Sequence, residues 1–152
     1  MRIELDDLTR PQVHALLSEH LANMVELSPP EQVFALDLNK LRSPDISFFS
    51  VWDGEQLLGC GALKELSATE GEVKSMRTPK DLRRRGAGRA VLDHIIGLAR
   101  QRGYRLLSLE TGSHADFQPA QRLYASRGFE PSGPFGSYRE DPHSVFMQLR
   151  LG

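Results

Sequence analysis

The sequence has little of several features that would point to particular protein classes. It has one cysteine, so an internal disulfide is impossible, and 19 basic against 20 acidic side chains give a net charge of only −1. The charge balance therefore favours neither nucleic acid nor a membrane surface as a partner. No apolar run approaches a membrane span, and Met1 to Asp7 do not resemble a signal peptide. These absences predict a cytoplasmic protein.

Metal-ligand spacing is also lacking, so the sequence predicts no metal site. At 152 residues, with 39% hydrophobic and 26% charged residues, the chain has an ordinary globular composition. We expect one domain over residues 1–152 with its own core. Cys60 lies in an apolar, strand-like run and is expected to be a buried, inert thiol.

Strand-like and helix-like patterns alternate along the chain, which predicts an α/β fold. The expected strands are Arg2 to Leu5, Ile46 to Trp52, Gln56 to Glu65, Glu72 to Thr78, Arg105 to Thr111, a short strand from Phe129, and Ser144 to Leu151. The expected helices are one from Pro11, one after Ser28 to Pro30, one from Ala87 to Arg102, and one capped by Asp116. The poor alternation near Ser75 predicts a bulge.

The most informative stretch is Arg83-Arg84-Arg85-Gly86-Ala87-Gly88-Arg89, at the start of the strongest helical pattern. Backbone N–H groups at a helix N-terminus lack intrahelical partners and favour an anion, and glycine lets the backbone approach it closely. The arginines add charge and forked donors, so the stretch is suited to a pyrophosphate. No Gly-Lys-Ser/Thr follows, and the third glycine of a dinucleotide fingerprint is missing. An exposed basic turn is the alternative reading.

A second motif, Ala120-x-x-Leu123-Tyr124-x-x-x-Gly128-Phe129, follows about thirty residues later. Together, and in this order, the two motifs resemble the GCN5-related N-acetyltransferase (GNAT) family, in particular its small stand-alone bacterial members. The resemblance covers essentially the whole chain. It implies a single-domain fold with a mixed, twisted sheet of about seven strands flanked by about four helices.

The resemblance also implies acetyl-CoA as cosubstrate, lying between two parallel strands that separate. The backbone of Met76 and Thr78 would pair with its pantetheine arm, and the arginine stretch would surround its pyrophosphate. Phe117 stands where the family often has an asparagine, so an apolar contact would replace an amide contact. The residues expected to bind the coenzyme are Met76, Thr78, Arg83, Arg84, Arg85, Gly86, Ala87, Gly88, Arg89, Phe117, Ala120 and Tyr124.

The implied reaction is direct attack of a neutral amine on the thioester. Tyr124 is the predicted acid for the departing thiolate. A phenol has a pKa of about 10 and a thiol one of about 8.5, so complete proton transfer is uphill by about 2 kcal/mol. The Met76 N–H is the predicted donor to the thioester oxygen. Either Glu72 or Glu110, on the two parallel strands, is the predicted base.

Tyr138 and Arg139 are the predicted acceptor-side residues, with Arg139 suited to a carboxylate. The segment from His20 to Pro30 and the loop from Phe135 to Asp141 are expected to form the rim of the acceptor cleft, and an ordinary surface loop is the alternative reading of Tyr138 and Arg139. The sequence thus predicts an N-acetyltransferase acting on a primary amine of a small molecule or amino acid, as a monomer or homodimer. The alternatives are a protein lysine or N-terminal acetyltransferase and an acyl-CoA-binding sensor without turnover.

Overall fold

The computed structural model describes residues 1–21, 38–83 and 85–152. Residues 38–41 are helical, and short 3-10 turns span Lys80–Leu82 and Ala115–Phe117. The remaining strands and helices of this part of the chain are β1 (Arg2–Leu5), α1 (Pro11–Leu21), β2 (Ile46–Asp53), β3 (Gln56–Glu65), β4 (Glu70–Arg77), α2 (Ala87–Gln101), β5 (Leu106–Gly112), α3 (Gln118–Ser126), β6 (Glu130–Ser132) and β7 (Ser144–Arg150).

The strands form one mixed sheet in the order β1-β2-β3-β4-β5-β7-β6. β4 and β5 pair in parallel, whereas the pairs β1–β2, β5–β7 and β6–β7 are antiparallel. The predicted fold class, including the parallel pair in the middle of the chain, is therefore confirmed. The last strand, β7, does not lie at the sheet edge, because β6 pairs outside it.

The described residues divide into two compact units. Unit 1 comprises Met1–Ala62 and Ser75–Asp93, and unit 2 comprises Leu63–Lys74 and His94–Gly152. The prediction of one domain over the whole chain stays a prediction. No helix in the described ranges is long and apolar enough to cross a membrane.

The core of unit 1 forms where α1 and the helical residues 38–41 cover the apolar faces of β2 and β3. Its members are Leu8, Val13, Leu16, Leu17, Leu38, Leu41, Phe48, Trp52, Leu57, Cys60 and Ala62. Cys60 is only 1% exposed, as predicted, and its Sγ donates to the carbonyl of Ser75 at 3.3 Å. Ser75 has a φ of 57°, which places a backbone irregularity where the bulge was predicted.

In unit 2, apolar side chains from β5, β7 and the helices form the core. They include Ile95, Ile96, Ala99, Tyr104, Leu107, Leu109, Tyr124, Phe129, Phe146, Met147 and Leu149. The end of α2 agrees with the predicted glycine cap, because Gly103 has a φ of 80° and its N–H bonds the carbonyl of Arg100.

The predicted start of α3 is wrong. Asp116 does not cap the helix, because it lies inside the 3-10 turn, where its own N–H donates to Nδ1 of His114 at 3.1 Å. The helix begins two residues later with Phe117 at the N-cap, and Pro119 falls in the first turn as expected. The histidine ring caps the 3-10 turn, and α3 itself has no side-chain cap bond.

Candidate active site

The arginine stretch of unit 1 leads into the first turn of α2. The amide of Ala90 donates to the carbonyl of Gly86 at 3.0 Å, which is the first bond of the helical series. The N–H groups of Ala87, Gly88 and Arg89 precede that bond and have no helical acceptor to reach. Gly86 has a φ of 84°, a left-handed conformation that glycine adopts without a side-chain clash.

The described arginine side chains of this stretch face solvent. Arg83, Arg85 and Arg89 are exposed, whereas Arg84 lies outside the described residues. Ala87 is 2% exposed and packs against β3, where a Cβ built on Gly59 would stand 3.3 Å from its own. Free N–H groups, a left-handed glycine and three exposed guanidiniums together fit an anionic group such as a diphosphate.

Two predicted backbone contacts lie just upstream in unit 1. Met76 is in β4, and its carbonyl accepts a 2.7 Å hydrogen bond from the guanidinium of Arg77. Thr78 lies one residue beyond the end of β4, so the predicted strand is too long at this end. The Met76 N–H therefore lies on a strand, whereas Thr78 belongs to the following turn.

Strand register brings the two predicted bases to one face of unit 2. The parallel pairing joins Glu70–Val73 to Leu106–Leu109 and sets Glu72 opposite Ser108. Glu110 follows Ser108 by two positions in β5 and stands opposite Phe146 of β7. Since side chains alternate along a strand, these four residues share one face. We call Glu72, Ser108, Glu110 and Phe146 the acidic face.

Glu72 is a buried carboxylate with an aromatic partner. It is 3% exposed, and the hydroxyl of Tyr138 donates to its Oε2 at 2.7 Å. Glu72 is the third residue of β4, not the first, so the prediction that it begins the strand is wrong. Burial, the bond to Glu72 and the negative charge of Glu110 raise the pKa of Tyr138 well above its usual range.

Two phenylalanine rings pack against the ring of Tyr138 at the acidic face. Its ring centroid lies 4.9 Å from that of Phe135 and 5.7 Å from that of Phe146, and these two phenylalanines are 6.0 Å apart. The amide of Tyr138 also bonds the carbonyl of Phe135 at 3.0 Å. Tyr138 remains 37% exposed although its hydroxyl bonds the buried carboxylate.

Glu110 and Arg139 are more exposed than Glu72. Glu110 accepts a 2.8 Å hydrogen bond from the hydroxyl of Ser144, and Arg139 follows Tyr138 in the exposed loop. An open cleft of about 490 Å³ includes Ser144, the partner of Glu110, and Glu140, which follows Arg139. Its lining residues are Pro131, Ser132, Glu140, Asp141, Pro142, Ser144, Val145 and Phe146.

Tyr124 is a buried residue of α3. It is 5% exposed, and its ring meets that of Phe129 edge to face with centroids 5.9 Å apart. Ala120, one turn earlier, is half-buried. Phe117 lies against Gly112 at the end of β5, with ring atoms 2.3 Å from where a Cβ on that glycine would stand.

The predicted site residues therefore fall into two groups. Unit 1 contains Met76, Thr78 and the described part of the arginine stretch. Unit 2 brings together Glu72, Glu110 and Tyr138, and it contains the Tyr124 helix separately. Sequence reasoning placed Phe135 in the acceptor-side loop but missed Phe146 of the acidic face and Ser144, which bonds Glu110. Most of the segment 20–30, which was predicted to form part of the rim of the acceptor cleft, lies outside the described residues.

A mixed sheet with a parallel central pair, whose two strands are connected through a glycine turn and a helix, defines an α/β protein. Comparison with known proteins makes the class specific, because residues 13–129 match the acetyltransferase (GNAT) family. The chain belongs to this family, and it is an acyltransferase. The predicted use of acetyl-CoA as cosubstrate agrees with this membership.

Relatives and solved structures support the assignment. The chain is 55% identical to the uncharacterized N-acetyltransferase YsnE of Bacillus subtilis over 99% of this chain and 100% of that protein. It is 39% identical to the IAA acetyltransferase of Azospirillum brasilense, over 83% and 82% of the two chains. An aminoglycoside 6'-N-acetyltransferase solved with coenzyme A shares the fold, with a TM-score of 0.73, 15% identity and coverage of 99% and 97%.

Proposed function

We propose that the protein transfers the acetyl group of acetyl-CoA to a primary amine of a small molecule or amino acid. Family membership supplies the reaction class. The observation that carries the choice of acceptor is the acidic face, where a buried carboxylate is hydrogen-bonded to a half-exposed tyrosine. Phe146 of the same face also lines the small cleft. An amine arrives mainly as a cationic ammonium group, and carboxylates with aromatic rings attract such a cation.

The coenzyme-binding role falls to unit 1. The N–H groups at the start of α2 would bind the diphosphate together with Arg83, Arg85 and Arg89, and with Arg84 of the same stretch. The Met76 N–H would donate to the thioester oxygen as negative charge develops there. When bound, acetyl-CoA supplies the activated acetyl group and a thiolate leaving group.

The proton transfers fall to unit 2. Glu72 would accept the proton that the ammonium group must lose before attack, and Glu110 would stabilise the cation beside it. Tyr124 would donate a hydrogen bond or proton to the departing sulfur. Arg139 would bind the carboxylate of an acceptor that has one. Each role uses a group whose chemistry suits it without requiring a metal.

Calorimetry with coenzyme A and measurement of thiol release test the proposal directly. The acceptor panel contains simple alkylamines, free amino acids, lysine peptides, peptides with free N-termini, and IAA because of the Azospirillum relative. We expect coenzyme A binding and fastest release with a small amine. Reaction with peptides alone would favour a protein acetyltransferase. Binding without release for any acceptor would favour an acyl-CoA sensor.

A further inference from the structure

We propose that Tyr138 relays a proton from the acceptor's ammonium group to Glu72. This inference rests on the proposed function and deepens it, because it names the side chain that meets the reacting nitrogen. Glu72 is 3% exposed, whereas Tyr138 is 37% exposed. The Tyr138 hydroxyl donates to Oε2 of Glu72 at 2.7 Å and thus connects the buried carboxylate to a partly exposed side chain.

The phenol oxygen has the right donor and acceptor arrangement for a relay. A tyrosine hydroxyl has one proton to donate and lone pairs with which to accept. Its proton points to Oε2 of Glu72, so a lone pair is left for an ammonium N–H. Packing against Phe135 and Phe146 limits the positions of the ring, which keeps the hydroxyl near the carboxylate.

The charges around Tyr138 favour a cation but oppose a phenolate. Burial raises the pKa of the Tyr138 phenol most, and Glu72 on β4 and Glu110 on β5 raise it further. The loop and cleft add Arg139, Glu140 and Asp141, whose net charge is negative. The hydroxyl therefore keeps its proton near neutral pH and passes one on only as it receives another.

The step balances as a paired transfer. An N–H bond of the ammonium group breaks as an O–H bond forms on Tyr138, and the original phenol O–H breaks as an O–H bond forms on Glu72. The products are a neutral amine, an unchanged phenol and a protonated carboxyl group. After acetyl transfer, the reverse path returns the proton from Glu72 to solvent.

Tyr138→Phe removes the hydroxyl and retains the aromatic ring. The test compares kcat for two acceptors near neutral pH: n-butylamine, which is protonated, and 2,2,2-trifluoroethylamine, which is largely neutral. With the protonated amine we expect kcat to fall by about 100-fold, the lower range for loss of acid–base catalysis. With the neutral amine we expect a change of less than about threefold, because no proton must leave before attack.

Tyr104→Phe is the matched control, because the hydroxyl of Tyr104 donates a comparable 2.9 Å bond to Glu65 in the same unit. It should leave both rates unchanged. If Tyr138→Phe lowers kcat equally for the two amines, the Tyr138–Glu72 bond only stabilises the loop. If kcat falls for neither amine, the hydroxyl has no part in the reaction. Either result overturns the relay while leaving the proposed function intact. Absence of turnover with the whole acceptor panel overturns both.

A titration without substrate tests the connection itself. Subtracting the tyrosinate absorbance of Tyr138→Phe from that of the wild type isolates one of only three tyrosines. We expect Tyr138 to ionise at lower pH in Glu72→Gln than in the wild type, because one negative neighbour is lost. Identical titrations would show that Glu72 does not contact the phenol and would overturn the relay.

Discussion

The ring of Phe117 occupies the position that a side chain on Gly112 would need. A Cβ built at Gly112 stands 2.3 Å from Cδ2 and 2.4 Å from Cε2 of that ring, closer than real Cβ contacts allow. The 3-10 turn before α3 is thus seated directly on the end of β5. Glycine at this strand end is a packing requirement.

We therefore expect Gly112→Ala to lower the free energy of unfolding by about 1–3 kcal/mol, the usual cost of overpacking. Urea denaturation followed by circular dichroism measures this change. The double variant Gly112→Ala/Phe117→Ala is the control, since it removes the ring from the path of the new methyl group. If the double variant is no more stable than the sum of the two single changes predicts, the contact does not explain the glycine.

Gly86→Ala tests the arginine stretch. We expect it to weaken coenzyme A binding by at least about tenfold, equivalent to about 1.4 kcal/mol, because the strained turn would shift the N–H groups at the start of α2. Isothermal calorimetry gives the dissociation constant. No atom lies within 4 Å of the added Cβ, so a steric clash does not contribute.

Gly54→Ala is the matched control for that change. Gly54 has a φ of 58°, also with no atom within 4 Å, but it lies in the β2–β3 hairpin. Both variants should lose about 1–2 kcal/mol of stability from left-handed backbone strain. Only Gly86→Ala should lose affinity, and equal affinities would remove the turn from the binding site.

Tyr124→Phe tests the predicted acid. The ring would keep its edge-to-face contact with Phe129, so we expect the fold to be preserved. We expect kcat to fall by about 10- to 100-fold and the affinity for coenzyme A to change less, since the hydroxyl acts on the developing thiolate. Thiol-release kinetics and calorimetry measure the two quantities. A kcat equal to the wild-type value would exclude Tyr124 from the chemistry.

The free energy of unfolding at alkaline pH should depend on Tyr104. Burial, followed by its hydrogen bond to Glu65, raises the pKa of this phenol. The folded state then retains a proton that the unfolded chain releases above about pH 10, so stability falls as pH rises from there through the folded pKa. We expect Tyr104→Phe to lose stability less steeply over that range. Below about pH 9 the two pH dependences should be parallel, and parallel curves above pH 10 would contradict the assignment.

The architecture was accessible from the sequence because its signals are local. The repeat of Val91 and Ile95 followed by Gly103 predicts α2, and Asp53-Gly54 predicts the hairpin, from residues that are neighbours along the chain. The α3 cap was mispredicted because a 3-10 turn, capped by the His114 ring, takes up Asp116, and α3 itself begins without a side-chain cap.

The site was less accessible, because its key contact is non-local. Glu72 and Tyr138 are 66 positions apart, and no periodicity connects a strand residue to a residue in a turn-rich loop. The sequence indicated both as functional residues but assigned them separate tasks. Their pairing depends on the register of β4 against β5 and on the packing of the loop against Phe146, which only the folded chain displays.

The buried position of Cys60 has a practical consequence for enzymology. Its sulfur is shielded and engaged with the Ser75 carbonyl, so a colorimetric thiol reagent added to the native enzyme should count liberated coenzyme A alone. After denaturation the same reagent should titrate one equivalent per polypeptide. Cys60 can therefore serve to measure the protein concentration after denaturation, and it should not react during an assay of the native enzyme.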